Sequence, residues 1–251
     1  VIIQTSEAMF VNSGTISSAG GQGAFINATN AVVMNEGEIS TLEGEGVALN
    51  FASDVAGGDA IIINTGTIAS NTDALVSTDS ATTLMNAGTI TGAVLLSGEA
   101  DQIANTGTIA GDVSTGAGAD SVTNEGVITG NVDLGADDDM FIFAAGSNVE
   151  GTIDGSDGDD TLTFAENDAT EPQIVDGSSF LNFETLNHNV GGVFELVFSG
   201  EVGFEEISVS NGGALFFDEQ DFDGVEFIVD QGGTLAVSYT HLRAHETSPY
   251  R

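Results

Sequence analysis

The chain contains no cysteine and no tryptophan, 2 prolines in 251 residues, and 2 basic side chains against 39 acidic ones. Without cysteine there is no disulfide framework, no thiolate nucleophile and no cysteine zinc cage, a composition that fits an exported protein avoiding disulfide chemistry. No apolar run is long enough to span a bilayer as a helix. Both arginines, Arg243 and Arg251, lie in the last stretch, so residues 1–236 carry no Lys or Arg and a single histidine, His188. At a formal charge of −37 the chain repels nucleic acid and anionic membranes and attracts divalent cations. A polysaccharide lyase with an arginine base is excluded. His188 has no serine or cysteine motif beside it and reads as an ordinary loop residue. Glycosidases need two carboxylates roughly 5–10 Å apart, and with carboxylates throughout the chain no pair is singled out. No enzyme is expected.

What the chain does have is a repeat. Leu84-Met-Asn86-Ala-Gly88-Thr-Ile90, Ile103-Ala-Asn105-Thr-Gly107-Thr-Ile109 and Val122-Thr-Asn124-Glu-Gly126-Val-Ile128 are one phrase written three times, with the asparagines 19 residues apart. Earlier copies run through Asn12, Asn35 and Asn64 at wider steps, with loops such as 42–46 and 53–59 between them. Within a copy the informative residues alternate, which is the period of a strand and not of a helix. A fixed short period of strands predicts an all-β, single-chain β-solenoid, a parallel β-helix or β-roll without significant helix. Its right hand is expected from the usual chirality of parallel crossovers. A 19-residue rung suits either a flattened two-sheet roll or a small triangular coil. Stacked asparagines are expected to hydrogen-bond along the axis, since a buried amide is costly unless paired. The glycine two residues later is expected to supply a positive φ or a tight corner.

A second motif shares the rungs. Gly116-Ala-Gly118-Ala-Asp120, Gly135-Ala-Asp137-Asp-Asp139 and Gly155-Ser-Asp157-Gly158-Asp159-Asp160 occupy one slot, and Asp101 holds it in a degraded copy. Stacked carboxylates about 5 Å apart repel one another unless solvated, partly protonated or bridged by a cation. Calcium takes six to eight oxygens, which carboxylates and the carbonyls of glycine-rich turns supply. The candidate metal ligands are therefore Asp120, Asp137, Asp139, Asp157, Asp159 and Asp160, with calcium as the candidate cofactor.

After Phe164 the clean repeat ends. Residues 1–164 form the first region and residues 165–236 a looser solenoid continuation or a small β domain. Residues 237–251 hold both arginines, and 237–247 resemble a translated sequencing adapter, so this tail is expected to be non-native and the chain a fragment.

Two resemblances follow from these phrases. The nonapeptide-like turns resemble the Gly-Gly-x-Gly-x-Asp repeats of calcium-binding β-rolls, with Thr115 and Leu134 in place of the first glycine, Ser156 in place of the second and Asp137 in place of the third. The Asn-x-Gly-x-Ile rungs, together with Phe180-Leu-Asn-Phe183-Glu-Thr-Leu186-Asn and the later Gly232-Gly-Thr-Leu-Ala236, resemble passenger regions of bacterial autotransporters. That resemblance implies an exported β-solenoid at the surface of a Gram-negative cell. It implies anchoring by a C-terminal outer-membrane barrel missing here, a stalk or adhesin role, and a host or neighbouring-cell glycan or protein as partner. It supplies no catalytic residue. The alternatives are a calcium-binding secreted β-roll or surface-layer protein and, third, a β-helix polysaccharide-degrading enzyme.

Overall fold

A computed structural model describes residues 1–19, 21–41, 49–52, 58–144, 146–165, 173–188, 192–197, 203–210, 212–218, 225–229 and 232–238. The loop residues 42–46 and 53–57 and the tail from 239 onward lie outside the described residues. Gly58 and Asp59, expected in a loop, instead open a strand.

The chain is a parallel β-solenoid. Its longest ladder stacks Ile2–Asn12, Ala24–Asn35, Gly58–Asn64, Ser80–Asn86, Gln102–Asn105, Ser121–Asn124, Met140–Phe143 and Thr161–Phe164. The same ladder continues through Thr185–His188, Glu206–Val209 and Glu226–Val229. Every pairing in it is parallel and in register, so Asn12, Asn35, Asn64, Asn86, Asn105 and Asn124 fall in one column. A second ladder runs from Thr15–Ser18 through Glu38–Thr41, Thr67–Ser77, Thr89–Leu95, Thr108–Ala110 and Val127–Ile128 to Asn148–Val149. A third links Leu49–Ala52 through Val113–Ser114, Val132–Asp133 and Ile153–Asp154 to Phe180–Leu181. The 19-residue rung thus has three short sides. Past Phe180–Leu181 the described strands fall on two, the first ladder and a separate parallel ladder of Gln173–Asp176, Gly192–Val197, Gly213–Asp218 and Thr234–Ser238, whose first strand precedes the 3-10 turn Gly177–Ser179. Val237 and Ser238, the first residues of the expected non-native tail, pair with Phe217 and Asp218 in that ladder.

Alternation sends one apolar column inward from each side. Val33, Ile62, Leu84, Ile103, Val122, Phe141, Leu162, Leu186 and Ile207 stack on the first side, and Ile39, Ile68, Ile90, Ile109 and Ile128 on the second. All are buried, and each contributes on the order of 1.5–3 kcal/mol.

The asparagine column is a hydrogen-bonded wire. Each Nδ2 donates to the Oδ1 of the next asparagine at 2.8 Å, five times in succession from Asn12 to Asn124. The same amide also donates to backbone carbonyls at the corner, as Asn86 does to Thr108 O at 3.2 Å, so burial leaves no amide group orphaned. Above Asn124 the column changes to Phe143 and Phe164, which pack edge-on with Phe180 at centroid separations of 5.8 to 6.0 Å.

Two expectations need correcting. Of the positive φ or tight corner expected at Gly14, Gly37, Gly66, Gly88, Gly107 and Gly126, the corner holds, since all six lie in bends between strands, and the positive φ does not. Glycine is required there because a Cβ at Gly37, Gly66, Gly88, Gly107 or Gly126 would overlap the carbonyl oxygen of the glycine one rung earlier. His188 is no loop residue: it ends a strand, is fully buried, and sets Nδ1 3.1 Å from the Phe164 carbonyl with its ring edge-on to Phe164.

Candidate functional site: a buried acidic corner

The first ladder begins, rung after rung, with an acid. Asp101, Asp120, Asp139 and Asp160 each stand two residues before a buried apolar residue, namely Ile103, Val122, Phe141 and Leu162. Side chains two apart on a strand share a face, so these carboxyls point inward with the core. They are between 0 and 3% exposed.

Backbone amides tie them into a spine. The N–H of Thr82 donates to Asp101 Oδ1 at 2.5 Å, that of Asp101 to Asp120 Oδ1 at 2.7 Å, and that of Asp120 to Asp139 Oδ1 at 2.7 Å. The N–H of Asp139 donates to Asp160 Oδ1 at 2.8 Å, and the series ends where Asp160 N–H donates to Glu184 Oε2 at 2.7 Å. Each acid therefore satisfies the amide of the rung before it, an amide the tight corner would otherwise bury unpaired.

The second carboxylate oxygens fare differently. Asp101 Oδ2 accepts from the Ser97 N–H at 3.0 Å. The Oδ2 atoms of Asp120, Asp139 and Asp160 are buried and receive no hydrogen bond. At the Ser97 position the following rungs place Gly116, Gly135 and Ser156. The Ser156 N–H donates instead to Asp154 Oδ1 at 3.1 Å and its hydroxyl to Asp133 Oδ1 at 3.0 Å, and Gly116 and Gly135 have no side-chain donor to offer.

Burial, the largest cause, raises the pKa of all four aspartates against the opposing help of the amide donors. Asp101 and Asp120 are pushed up to about 6 and Asp139 to about 7, with repulsion from neighbouring aspartates adding to burial; Asp160 is raised as well.

The six sequence-predicted ligands divide into two files. Asp120, Asp139 and Asp160 form the inner, buried file. Asp137, Asp157 and Asp159 lie on the outer turns and are exposed. Asp137 Oδ2 accepts the Gly118 N–H at 3.1 Å, and the Asp159 N–H donates to Asp138 Oδ1 at 3.0 Å. Asp101 and Glu184 belong to the inner file although neither was among the six. The signal for them was the same two-residue offset from Ile103 and Leu186.

The turns between the files depend on left-handed backbone. Gly116 and Gly135 have φ of 108° and 105°, and Ser156 takes the same slot at 74°; Gly118 has 99°, and Asp137 takes that slot at 80°. The departures from glycine at Ser156 and Asp137 therefore carry strained backbone, of the order of 1–3 kcal/mol each.

Three buried, donorless carboxylate oxygens are what a cation would neutralise, and to that extent the inner file fits calcium. Among the described residues, however, no group of three or more His, Cys, Asp or Glu converges into a metal cage. Any cation held here would draw most of its oxygens from the turn carbonyls.

Compared with known proteins, the chain matches no family model, no curated protein and no solved structure.

Proposed function

We propose that this chain is the exported, structural part of a Gram-negative cell-surface protein, a stalk or adhesin of the autotransporter passenger kind. In the intact protein an outer-membrane barrel would anchor it, and a surface glycan or protein of a host or neighbouring cell would be its target. The observation that carries this reading is the uninterrupted in-register ladder from Asn12 to Val229. At about 4.8 Å per level it gives a rod roughly 50 Å long. Its polar interior is satisfied largely by itself, and its exterior is acidic and soluble. Such a rod holds a binding surface away from a membrane and needs no cofactor to do so. The test is to express the intact gene in a Gram-negative host with an epitope in the exposed turn at Gly146. Antibody should label intact cells and external protease should remove the label. Labelling only after lysis would overturn the reading.

A second reading, a calcium-binding β-roll or surface-layer protein, draws on the donorless Oδ2 atoms of Asp120, Asp139 and Asp160. Calcium at these oxygens would relieve buried charge that unfolding otherwise relieves. At a concentration 100 times its dissociation constant, a ligand of the folded state stabilises by about 2.7 kcal/mol. The thermal midpoint at pH 7.5 should then rise by roughly 5–10 °C in excess calcium over chelator, and less in magnesium. Equal midpoints in calcium and chelator would sink this reading and leave the stalk untouched.

A further inference from the structure

The outward face of the long ladder differs from the rest of the surface. The strands present two adjacent columns to solvent, one from Met9 to Met140 and one from Val11 to Ile142. Read along the pairing, these columns contain only apolar, Thr, Ser and Gln side chains, without one charge, in a chain with 39 acids. All four methionines of the chain lie here: Met9, Met34, Met85 and Met140. Met9 is 72% exposed, Val11 52%, Met85 46% and Ile61 37%. Apolar groups left in water side by side mark an interaction surface more often than chance, and methionine is the side chain that best moulds to a partner.

The lane is bounded by acids. Glu7 and Asp59 are exposed along one margin, Glu36 and Glu125 along the other. These margins decide the occupant. A second copy would bring its own acidic margins against these, and anionic lipid would be repelled in the same way. The backbone of the lane is already paired on both sides of each inner strand, so an occupant cannot add a strand and must offer side chains alone. From Met9 to Met140 the lane covers seven levels, six spacings of about 4.8 Å and so roughly 29 Å. That is the length of a helix of about 19 residues at 1.5 Å per residue, and its width of two side chains suits a single apolar stripe.

We infer that this lane docks a cationic amphipathic helix of a partner protein, its apolar stripe on the methionine columns and its Lys or Arg residues against Glu7, Asp59, Glu36 and Glu125. The inference names a face and a partner chemistry and does not depend on how the chain is exported or whether it binds calcium.

The test uses a fluorescently labelled 19-residue Leu/Lys amphipathic peptide, a sequence-scrambled peptide of equal charge, and a Leu/Glu counterpart, titrated with the purified chain at 150 mM salt. The scrambled peptide measures attraction to the acidic surface as a whole. The amphipathic peptide should bind at least ten-fold tighter than the scrambled one, and the Leu/Glu peptide should not bind. The double substitution Ile61→Gln with Met85→Gln, outward-facing and expected to leave the melting curve unchanged, should remove that ten-fold advantage while leaving the scrambled peptide's affinity as it was. Glu36→Gln with Glu125→Gln should weaken the amphipathic peptide several-fold. Equal binding of amphipathic and scrambled peptides, or indifference to Ile61→Gln with Met85→Gln, would overturn the inference. So would a methionine-dependent dimer in sedimentation, or methionine-dependent binding to phosphatidylcholine vesicles.

Discussion

Gly107→Ala should lower the thermal midpoint by more than about 10 °C, whereas Gly14→Ala should leave it nearly unchanged. Both glycines hold the same place in the Asn-x-Gly phrase, and neither has a positive φ, so conformational freedom does not separate them. What separates them is the preceding rung. A Cβ on Gly107 would overlap the Gly88 carbonyl oxygen and come within 2.8 Å of the Ala87 carbonyl carbon, all backbone. No side-chain rotation relieves that contact, so the rungs must part at this corner. Parting them weakens Gly107 N–H to Asn86 O at 3.0 Å, Thr108 N–H to Gly88 O at 2.9 Å, and the Asn86–Asn105 amide bond at 2.8 Å. Overpacking together with two or three weakened hydrogen bonds amounts to roughly 3–6 kcal/mol. A Cβ on Gly14 meets nothing within 4 Å. Alanine there also restricts the unfolded chain, so that variant should be neutral or slightly stabilising. Paired circular-dichroism melts decide it: a Gly107→Ala melt as mild as that of Gly14→Ala would mean this column does not set the rung spacing.

Much of this fold is legible in the sequence because each rung restates the same local rule. The strand period, the 19-residue step and the Asn-x-Gly phrase all describe contacts to an identical neighbour, so the asparagine column and its amide bonds follow from one rung and its copy. The reason for the glycines does not, because the clash that requires them is with another rung's carbonyl and leaves no mark in φ. The three-sided section is also hidden, since Val113–Ser114 and Val132–Asp133 are strands of two residues with no period of their own. At the acidic corner, reading the turns as calcium nonapeptides treated six aspartates alike. Asp120, Asp139 and Asp160, two residues before Val122, Phe141 and Leu162, point inward; parity sets Asp157 and Asp159 out of that frame, while Asp137 shares it and is exposed on a turn where its own backbone is left-handed. The apolar lane is hidden in the sequence for the opposite reason. Its residues fall between the core positions, where an alternating pattern leads one to expect polar side chains.

Between pH 8 and pH 5, in chelator, the thermal midpoint should rise as the solution is acidified. The cause is the inner file of carboxyls. Burial, chiefly, holds Asp101 and Asp120 at about 6 and Asp139 at about 7, against about 3.9 for an aspartate in the unfolded chain. A group whose pKa is raised on folding binds its proton more tightly in the folded state, so protonation favours folding. Its contribution is complete below the unfolded pKa near 4 and is lost as pH climbs through the folded values of about 6 to 7. Each pKa unit corresponds to about 1.4 kcal/mol. After discounting for solvent that reaches the corner and for mutual coupling of the three groups, the total is on the order of 3–5 kcal/mol, or about 10 °C. Asp139→Asn isolates the cause. Its amide oxygen can still accept the Asp120 N–H, while the charge disappears at every pH. The variant should melt higher than the parent at pH 8, match it more closely at pH 5, and show a visibly flatter profile. A parent midpoint that stays level or falls on acidification, or an Asp139→Asn profile as steep as the parent's, would remove the buried carboxyls as the source. Calcium sharpens the same measurement. If it sits on the donorless oxygens it competes with the proton there, so saturating calcium should stabilise the parent most at pH 8 and least at pH 5.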